Sequence, residues 1–337
     1  MSIDLTTRYL GLTLKTPIVA SASPLSSTVQ GIRHLAGAGA GAIVLPSLFE
    51  EQVRHEATRD RHAWEAGSHS SPEASGYFAE TGRDDAVLRR YLDLIGMARD
   101  AVEVPIIASL NGTTVSGWVD HAIEIAAAGA SAIELNFYRI ASDPAATGAS
   151  VEAECVDLLT AVRSRVALPI AMKLHPHFSA FGALAHRLDA AGADGLVLFD
   201  RLYQADIDLV RLAWVNQVTL SQPNEIRLGL FWLSQLSGRL AKASLAAGSG
   251  VETGDEIVKY LLAGADVAMT ASALLRHGPG HIQSLLTDLR SWLDLRKFDA
   301  VSQIRGLMKA SHPEAERRQR GDYISSLTGY RRPYASD

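Results

Sequence analysis

Lys173, Asn136 and Glu134 are the residues whose type and surroundings point most directly to chemistry. Lys173 stands in Ala171-Met172-Lys173-Leu174-His175, an apolar stretch with the look of a strand. A lysine there is costly to bury unless it faces an anion or an electron-rich ring. Three roles fit it: an amine that forms a Schiff base, a donor to a bound cofactor, or a stem along apolar surface with its ammonium at the rim. Asn136 closes Glu134-Leu135-Asn136, and its amide can grip the edge of a heterocycle or bond a neighbouring loop. Glu134 and Asn136 lie two apart in a strand, so both face the same way. Glu134 sits one layer deeper and reads as a partner for Lys173.

A second chemical feature spans residues 244–279. Two apolar runs end in Gly248-Ser249-Gly250 and in Ala271-Ser272-Ala273, and a helical pattern joins them. Small residues let a phosphate approach backbone N–H groups that a Cβ would screen. The same pattern also suits a plain βαβ unit with tight turns. Other chemistries find little support. His175 and His177 flank Pro176 without paired carboxylates, so no metal is expected. Cys155 falls inside a helical pattern and reads as a packed thiol. Neither a Gly-x-Ser-x-Gly elbow nor a His-Glu-x-x-His helix occurs.

The elements that must position these residues follow from a repeat. Ala-Gly-Ala occurs at residues 38–40, 128–130, 191–193 and 263–265, each time after a helical pattern and before an apolar strand. Glycine takes the left-handed position that ends a helix, and small neighbours let helix and strand pack closely. Partner strands begin near Pro17, Pro105, Pro169 and Lys242. Four βαβ units make eight strands, and no Gly-x-Gly-x-x-Gly follows the first of them. An α/β fold is therefore expected, a closed (β/α)8 TIM barrel forming one domain over residues 1–337. Residues 3–14 read as an N-terminal hairpin plugging one end. Residues 50–100 and 201–237 read as insertions after strands two and six, the first with a mobile lid near residues 67–76. Residues 295–337 read as a helical tail.

Composition narrows the partners. The 337 residues carry a net charge of −5 and no basic run, so neither nucleic acid nor an anionic membrane surface is an expected partner. One cysteine leaves no means for this chain to carry an iron–sulfur cluster. The first residues lack a basic segment followed by an apolar core, and no apolar run reaches membrane-span length. A cytoplasmic protein is expected.

With those residues in place, the chain resembles the FMN-dependent dihydroorotate dehydrogenases. The resemblance runs in order through GLTLKTPIVASASP, VPIIASLNG, AGASAIELN, PIAMKLHP, LSQPNEIRLGL and GSGVETGDEIVKYLLAGADVAMTASALLRHGP. It implies FMN as cofactor, with Ser21, Ser47 and Ser109 beside it and Asn136 and Lys173 bonded to its ring. Phe199 would lie against it through its backbone. Ser249, Gly250, Ala271 and Ser272 would hold its phosphate, small residues where the family has Gly-Gly and Gly-Thr. It further implies hydride transfer between substrate and flavin, oxidation or reduction of a C–C bond as in dihydroorotate to orotate, and a place in pyrimidine biosynthesis.

The substrate half departs from the family. The family's strand-two lysine is Pro46 here. Its Glu-Leu-Asn-x-Ser-Cys-Pro-Asn reads Glu134-Leu135-Asn136-Phe137-Tyr138-Arg139-Ile140-Ala141, which puts Arg139 at the base position. Arginine stays protonated, so Tyr138 beside it is the candidate base or acid. The Asn-Thr pair that grips orotate is replaced by Asp200-Arg201, and a family glycine after strand six by Gln222. Arg139 and Arg201 could instead bind the carboxylate of another small anionic substrate. The expected partners are thus a small anion, an electron acceptor of unknown kind and a second copy in a homo-oligomer, a dimer. Two other classes stay open: a flavin-free phosphate-binding lyase or epimerase using Lys173, and a catalytically silent scaffold.

Overall fold

The computed structural model describes residues 3–54, 86–201, 205–215, 218–310 and 315–329. Eight parallel strands close into a barrel: β3 (Ile18–Ala20), β4 (Ala42–Phe49), β5 (Ile106–Asn111), β6 (Ala132–Asn136), β7 (Ile170–Leu174), β8 (Gly195–Leu198), β11 (Ser244–Ala247) and β12 (Val267–Thr270). β12 pairs back onto β3 and closes the ring. Alternation sorts the strand residues into two layers. Val19, Val44, Ile107, Ala171, Val197 and Met269 fill the interior, while Ile18, Ile43, Ile106, Ile170 and Leu196 face the helices.

The expected N-terminal hairpin is present as β1 (Thr7–Tyr9) against β2 (Leu12–Leu14), antiparallel. Tyr9, Leu10 and Leu14 are buried with the interior layer and stopper the N-terminal end of the barrel. The Leu10 N–H donates to Ser244 Oγ at 3.0 Å, and Thr7 Oγ1 donates to the Asp266 carbonyl at 2.8 Å, so the plug is bonded as well as packed.

Each Ala-Gly-Ala ends a helix as the sequence predicts. Gly39, Gly129, Gly192 and Gly264 have φ of 101°, 90°, 100° and 114°, a region where an L side chain is strained. Gly264 is further constrained, because a Cβ there would meet Ser237 Oγ at 2.1 Å.

Some boundaries differ from expectation. β4 runs through Pro46-Ser47 to Phe49, with its register against β5 shifting between Val44 and Ser47. Pro46 has no N–H to give the ladder, so pairing slips there and resumes beyond it. The helices Ala86–Ala101 and Ile226–Leu236, inside stretches read as insertions, are the barrel's second and sixth helices. Between β8 and the latter lies a small hairpin, β9 (Asp206–Asp208) with β10 (Ala213–Val215). The lid expected near residues 67–76 lies outside the described residues. In the tail, after a helix that ends at Leu295, helical segments Val301–Ile304 and Ala315–Thr328 follow.

Two carboxylates tie loops to the frame. Glu50, just past β4, accepts from Thr113 N at 2.6 Å, Thr114 N at 2.9 Å, Thr113 Oγ1 at 3.1 Å and Thr114 Oγ1 at 2.6 Å. It thereby fixes the loop after β5 and the start of the helix Val115–Ala127. Gly117 is what lets it in, since a Cβ there would lie 2.2 Å from the carboxylate. Asp189 does the same before β11, accepting from Ala241 N at 2.6 Å, Lys242 N at 3.0 Å and Ala243 N at 2.8 Å. Burial alone would raise both carboxyls, yet these donors hold both below their ordinary values.

Candidate functional site

A cavity of about 300 Å³ opens at the C-terminal ends of β3, β7, β8, β11 and β12. That is the end at which barrels of this kind carry their active sites. It is lined by nine of the residues singled out from sequence: Ser21, Lys173, Phe199, Asp200, Arg201, Ser249, Gly250, Ala271 and Ser272.

Lys173 governs the charged side. Its Nζ lies 3.5 Å from Glu134 Oε1 and 3.3 Å from Asp200 Oδ1. β6 and β7 place these groups by register, Asn136 opposite Lys173 and Glu134 opposite Ala171. Burial pulls the lysine's affinity for its proton down, but Glu134 and Asp200 outweigh it and raise the pKa above its ordinary value. Glu134 is wholly buried, and burial pushes its carboxyl above 4.5 against the opposing pull of Lys173. Lys173 therefore stays an ammonium, a donor and not a free amine. Asn136 is buried, and among the described residues its Oδ1 has no hydrogen-bond partner. Buried polar atoms are normally satisfied, so an orphaned acceptor beside a buried ion pair marks a place built for something other than stability.

The opposite side is made of small residues and hydroxyls. The loop after β11 turns through Ser249 and Gly250, at φ of 71° and 69°. Gly250 admits no side chain: a Cβ would meet Ile226 Cγ2 at 2.7 Å and the Gln222 carbonyl at 2.9 Å. The Gly250 N–H donates to Ser221 Oγ at 3.1 Å, and that hydroxyl donates to Ser272 Oγ at 2.9 Å. The Ser221 N–H also reaches Ser272 Oγ, at 3.0 Å. Tyr260 Oη contacts the Gly248 and Ser249 carbonyls at 2.9 Å each, pinning the turn from beneath. Arg276 donates to the Ser221 carbonyl at 2.6 Å and pairs with Glu252, so three loops are held together.

Sequence reasoning missed Ser221, Tyr260, Arg276, Glu252 and Glu225. A signal existed for one of them. Gln222-Pro223-Asn224-Glu225 has proline at a helix start and an acid three residues after the cap, and the Gln222 N–H donates to Glu225 Oε1 at 2.8 Å.

Five of the expected site residues lie outside this lining. Ser47 and Ser109 are register partners whose hydroxyl oxygens are 2.7 Å apart. Tyr91 Oη fixes Ser109 from behind, donating to its carbonyl at 3.0 Å and accepting from its N–H at 2.8 Å. Asn136 is the register partner of Lys173 across β6 and β7. Tyr138 and Arg139 follow β6 outward. Arg139 lines a separate cavity of about 310 Å³ with His175, His177 and Phe178, and its Nε lies 3.3 Å from Glu154 Oε2. Arg201 lines the main cavity, but its Nε sits 2.8 Å from Glu225 Oε2 and its Nη1 donates to the Thr219 carbonyl. His175 stacks on Phe178 with ring centroids 4.4 Å apart, and burial lowers its pKa. Among the described residues no group of three metal-ligating side chains occurs, and no helix is long and apolar enough to cross a membrane.

Comparison with known proteins gives the same direction as the geometry. No family model matches the chain. A putative dihydroorotate dehydrogenase A (fumarate) of Aeropyrum pernix is 27% identical over 246 residues, 71% of this chain and 78% of the relative. The catalytic subunit of dihydroorotate dehydrogenase B (NAD(+)) of Methanocella arvoryzae is 26% identical over 310 residues, 88% of this chain and 95% of the relative. The corresponding subunit of Thermoplasma volcanium is 22% identical over 316 residues, 90% and 98% of the two chains. Similarity at this level, over 71% to 90% of the chain, supports a divergent dihydroorotate dehydrogenase-like protein.

Proposed function

We propose that this protein is an FMN-dependent oxidoreductase acting on a C–C bond of a small substrate. The observation that carries the reading is a single cavity joining a bare-backbone turn to a buried ammonium. The donor set fits FMN. The Ser249-Gly250 turn and the Ala271-Ser272 pair, with the Ser221 hydroxyl, suit a phosphate that must meet backbone. Lys173 and the orphaned Asn136 amide suit the edge of the isoalloxazine. When bound there, FMN would supply the hydride acceptor or donor. The protein's part is to hold Lys173 charged at the cavity floor and to keep the turn open by excluding a side chain at Gly250.

Two further points shape the proposal. An ammonium held between two carboxylates is poorly suited to Schiff-base formation, which needs a neutral amine. Tyr138 and Arg139 are not carried into the mechanism, because they lie away from the cavity and Arg139 is engaged by Glu154. The decisive test is FMN uptake. The purified protein should be yellow, or become so on reconstitution, with one FMN per chain. Gly250→Val should abolish uptake, since its side chain would collide with Ile226 and the Gln222 carbonyl. A colourless protein that takes up no FMN would sink the proposal.

A further inference from the structure

Dihydroorotate dehydrogenases act on a carboxylate, and a carboxylate needs a free cation to meet it. Among the described residues, two cations line the cavity, Lys173 and Arg201. Lys173 already faces two carboxylates, Glu134 at 3.5 Å and Asp200 at 3.3 Å. Arg201 is turned to Glu225 at 2.8 Å and to the Thr219 carbonyl. Arg139, the third cation expected to bind an anion, lines a different cavity and lies against Glu154 at 3.3 Å. The charged group the cavity wall adds is Asp200, an acceptor whose side chain is 19% exposed.

We infer that the site takes an uncharged substrate that donates N–H or O–H groups to Asp200, and that Asp200 excludes carboxylates. This rests on the oxidoreductase reading above and names the substrate class for that same cavity. Asp200 lies 3.3 Å from Lys173, and burial raises the Glu134 carboxyl beneath them against the pull of the same lysine. A neutral ligand can donate to Asp200 without bringing a charge into a half-closed space. A carboxylate would bring its charge beside Asp200 and find both cations engaged. The residue acts by specificity, through rejection of the wrong charge as much as through attraction.

The probes are dihydroorotate and 5,6-dihydrouracil, the same ring with and without its carboxylate. Each is titrated into the FMN-reconstituted full chain, with the flavin absorbance change as the binding readout and FMN affinity measured separately for every variant. The wild-type protein should bind dihydrouracil at least about tenfold more tightly than dihydroorotate. Asp200→Asn should shift that ratio about tenfold or more toward dihydroorotate, while Asp200→Glu keeps it. Asp200→Ser serves the same purpose if the asparagine variant does not fold. A chain that takes up no FMN overturns the oxidoreductase reading and this inference with it. A chain that takes up FMN but prefers dihydroorotate, that binds neither probe in either form, or whose ratio is unmoved by Asp200→Asn overturns the inference alone.

Discussion

Two glutamates sit at neighbouring parts of the same barrel wall and behave in opposite ways. Glu50, past the end of β4, has a side chain 1% exposed; Glu134, on β6, has one 0% exposed. Glu50 accepts four hydrogen bonds from Thr113 and Thr114 and pairs with Arg54 at 2.6 Å. Among the described residues Glu134 has no donor closer than Lys173, whose Nζ lies 3.5 Å away. Burial works on both, but donors overturn it at Glu50 and not at Glu134. Burial therefore does not decide what a buried acid is for; its donors do. The satisfied acid is a clamp that fixes a loop. The unsatisfied one belongs to a charged group whose members are only partly answered by each other, which is how functional sites differ from frames.

The largest effect expected from this contrast comes from removing the cation. Lys173→Met leaves Glu134 and Asp200 facing each other in a buried site, and should cost about 3–5 kcal/mol in chemical denaturation. Adding Glu134→Gln to Lys173→Met should recover part of that loss, because one of the stranded acids is then gone. A cost below about 1 kcal/mol would mean that Lys173 does not hold the two carboxylates in solution. Next comes the clamp. Glu50→Ala strands two backbone N–H groups at the start of a helix and should cost about 2–4 kcal/mol, with Glu50→Gln milder. Gly117→Ala should be far less harmful in the Glu50→Ala protein than in the wild type, since the carboxylate is what its methyl group would strike. Equal costs in both backgrounds would break the account of Gly117.

The frame was more legible than the site, for a physical reason. Helix ends need a left-handed residue and close packing needs small ones, so four Ala-Gly-Ala turns spell the repeat within the chain itself. Lys173 was legible because a charged residue inside an apolar strand breaks a local rule, and its pairing with Glu134 followed from the pleat. What could not be read were partnerships between distant loops. Ser221 meets Ser272 across 51 residues of sequence, and no local pattern gives that hydroxyl a role. Arg139 and Arg201 read as anion binders because they stand where the resembled family has its base and its orotate-gripping pair. Their actual neighbours, Glu154 and Glu225, depend on how the loops after β6 and β8 travel. The lysine's second carboxylate, Asp200, stands in the sequence only as a substitution in the resemblance, and its meaning depends on its reach to Lys173.

The smallest expected effect is also the one that separates the two glutamates most cleanly, because their signs differ with pH. A carboxyl held below its ordinary value of 4.5 in the folded state, as at Glu50, contributes stability above 4.5 that is lost as pH falls through the folded value. A carboxyl raised above 4.5, as at Glu134, binds its proton more tightly when folded. Its contribution is present below 4.5 and is lost as pH rises through the raised value. Folding stability measured between about pH 3 and about pH 7 should therefore show two opposite differences from wild type. The deficit of Glu50→Gln should shrink toward acid, since the wild type loses the same contribution there. Glu134→Gln should lie within about 1 kcal/mol of wild type throughout and gain on it as pH rises, because a neutral amide never has to give up a proton. If Glu134→Gln instead loses ground above pH 4.5, Glu134 is ionised in the folded protein. Lys173 would then be shared equally between two carboxylates, and the contrast between clamp and site would rest on the missing hydrogen bonds alone.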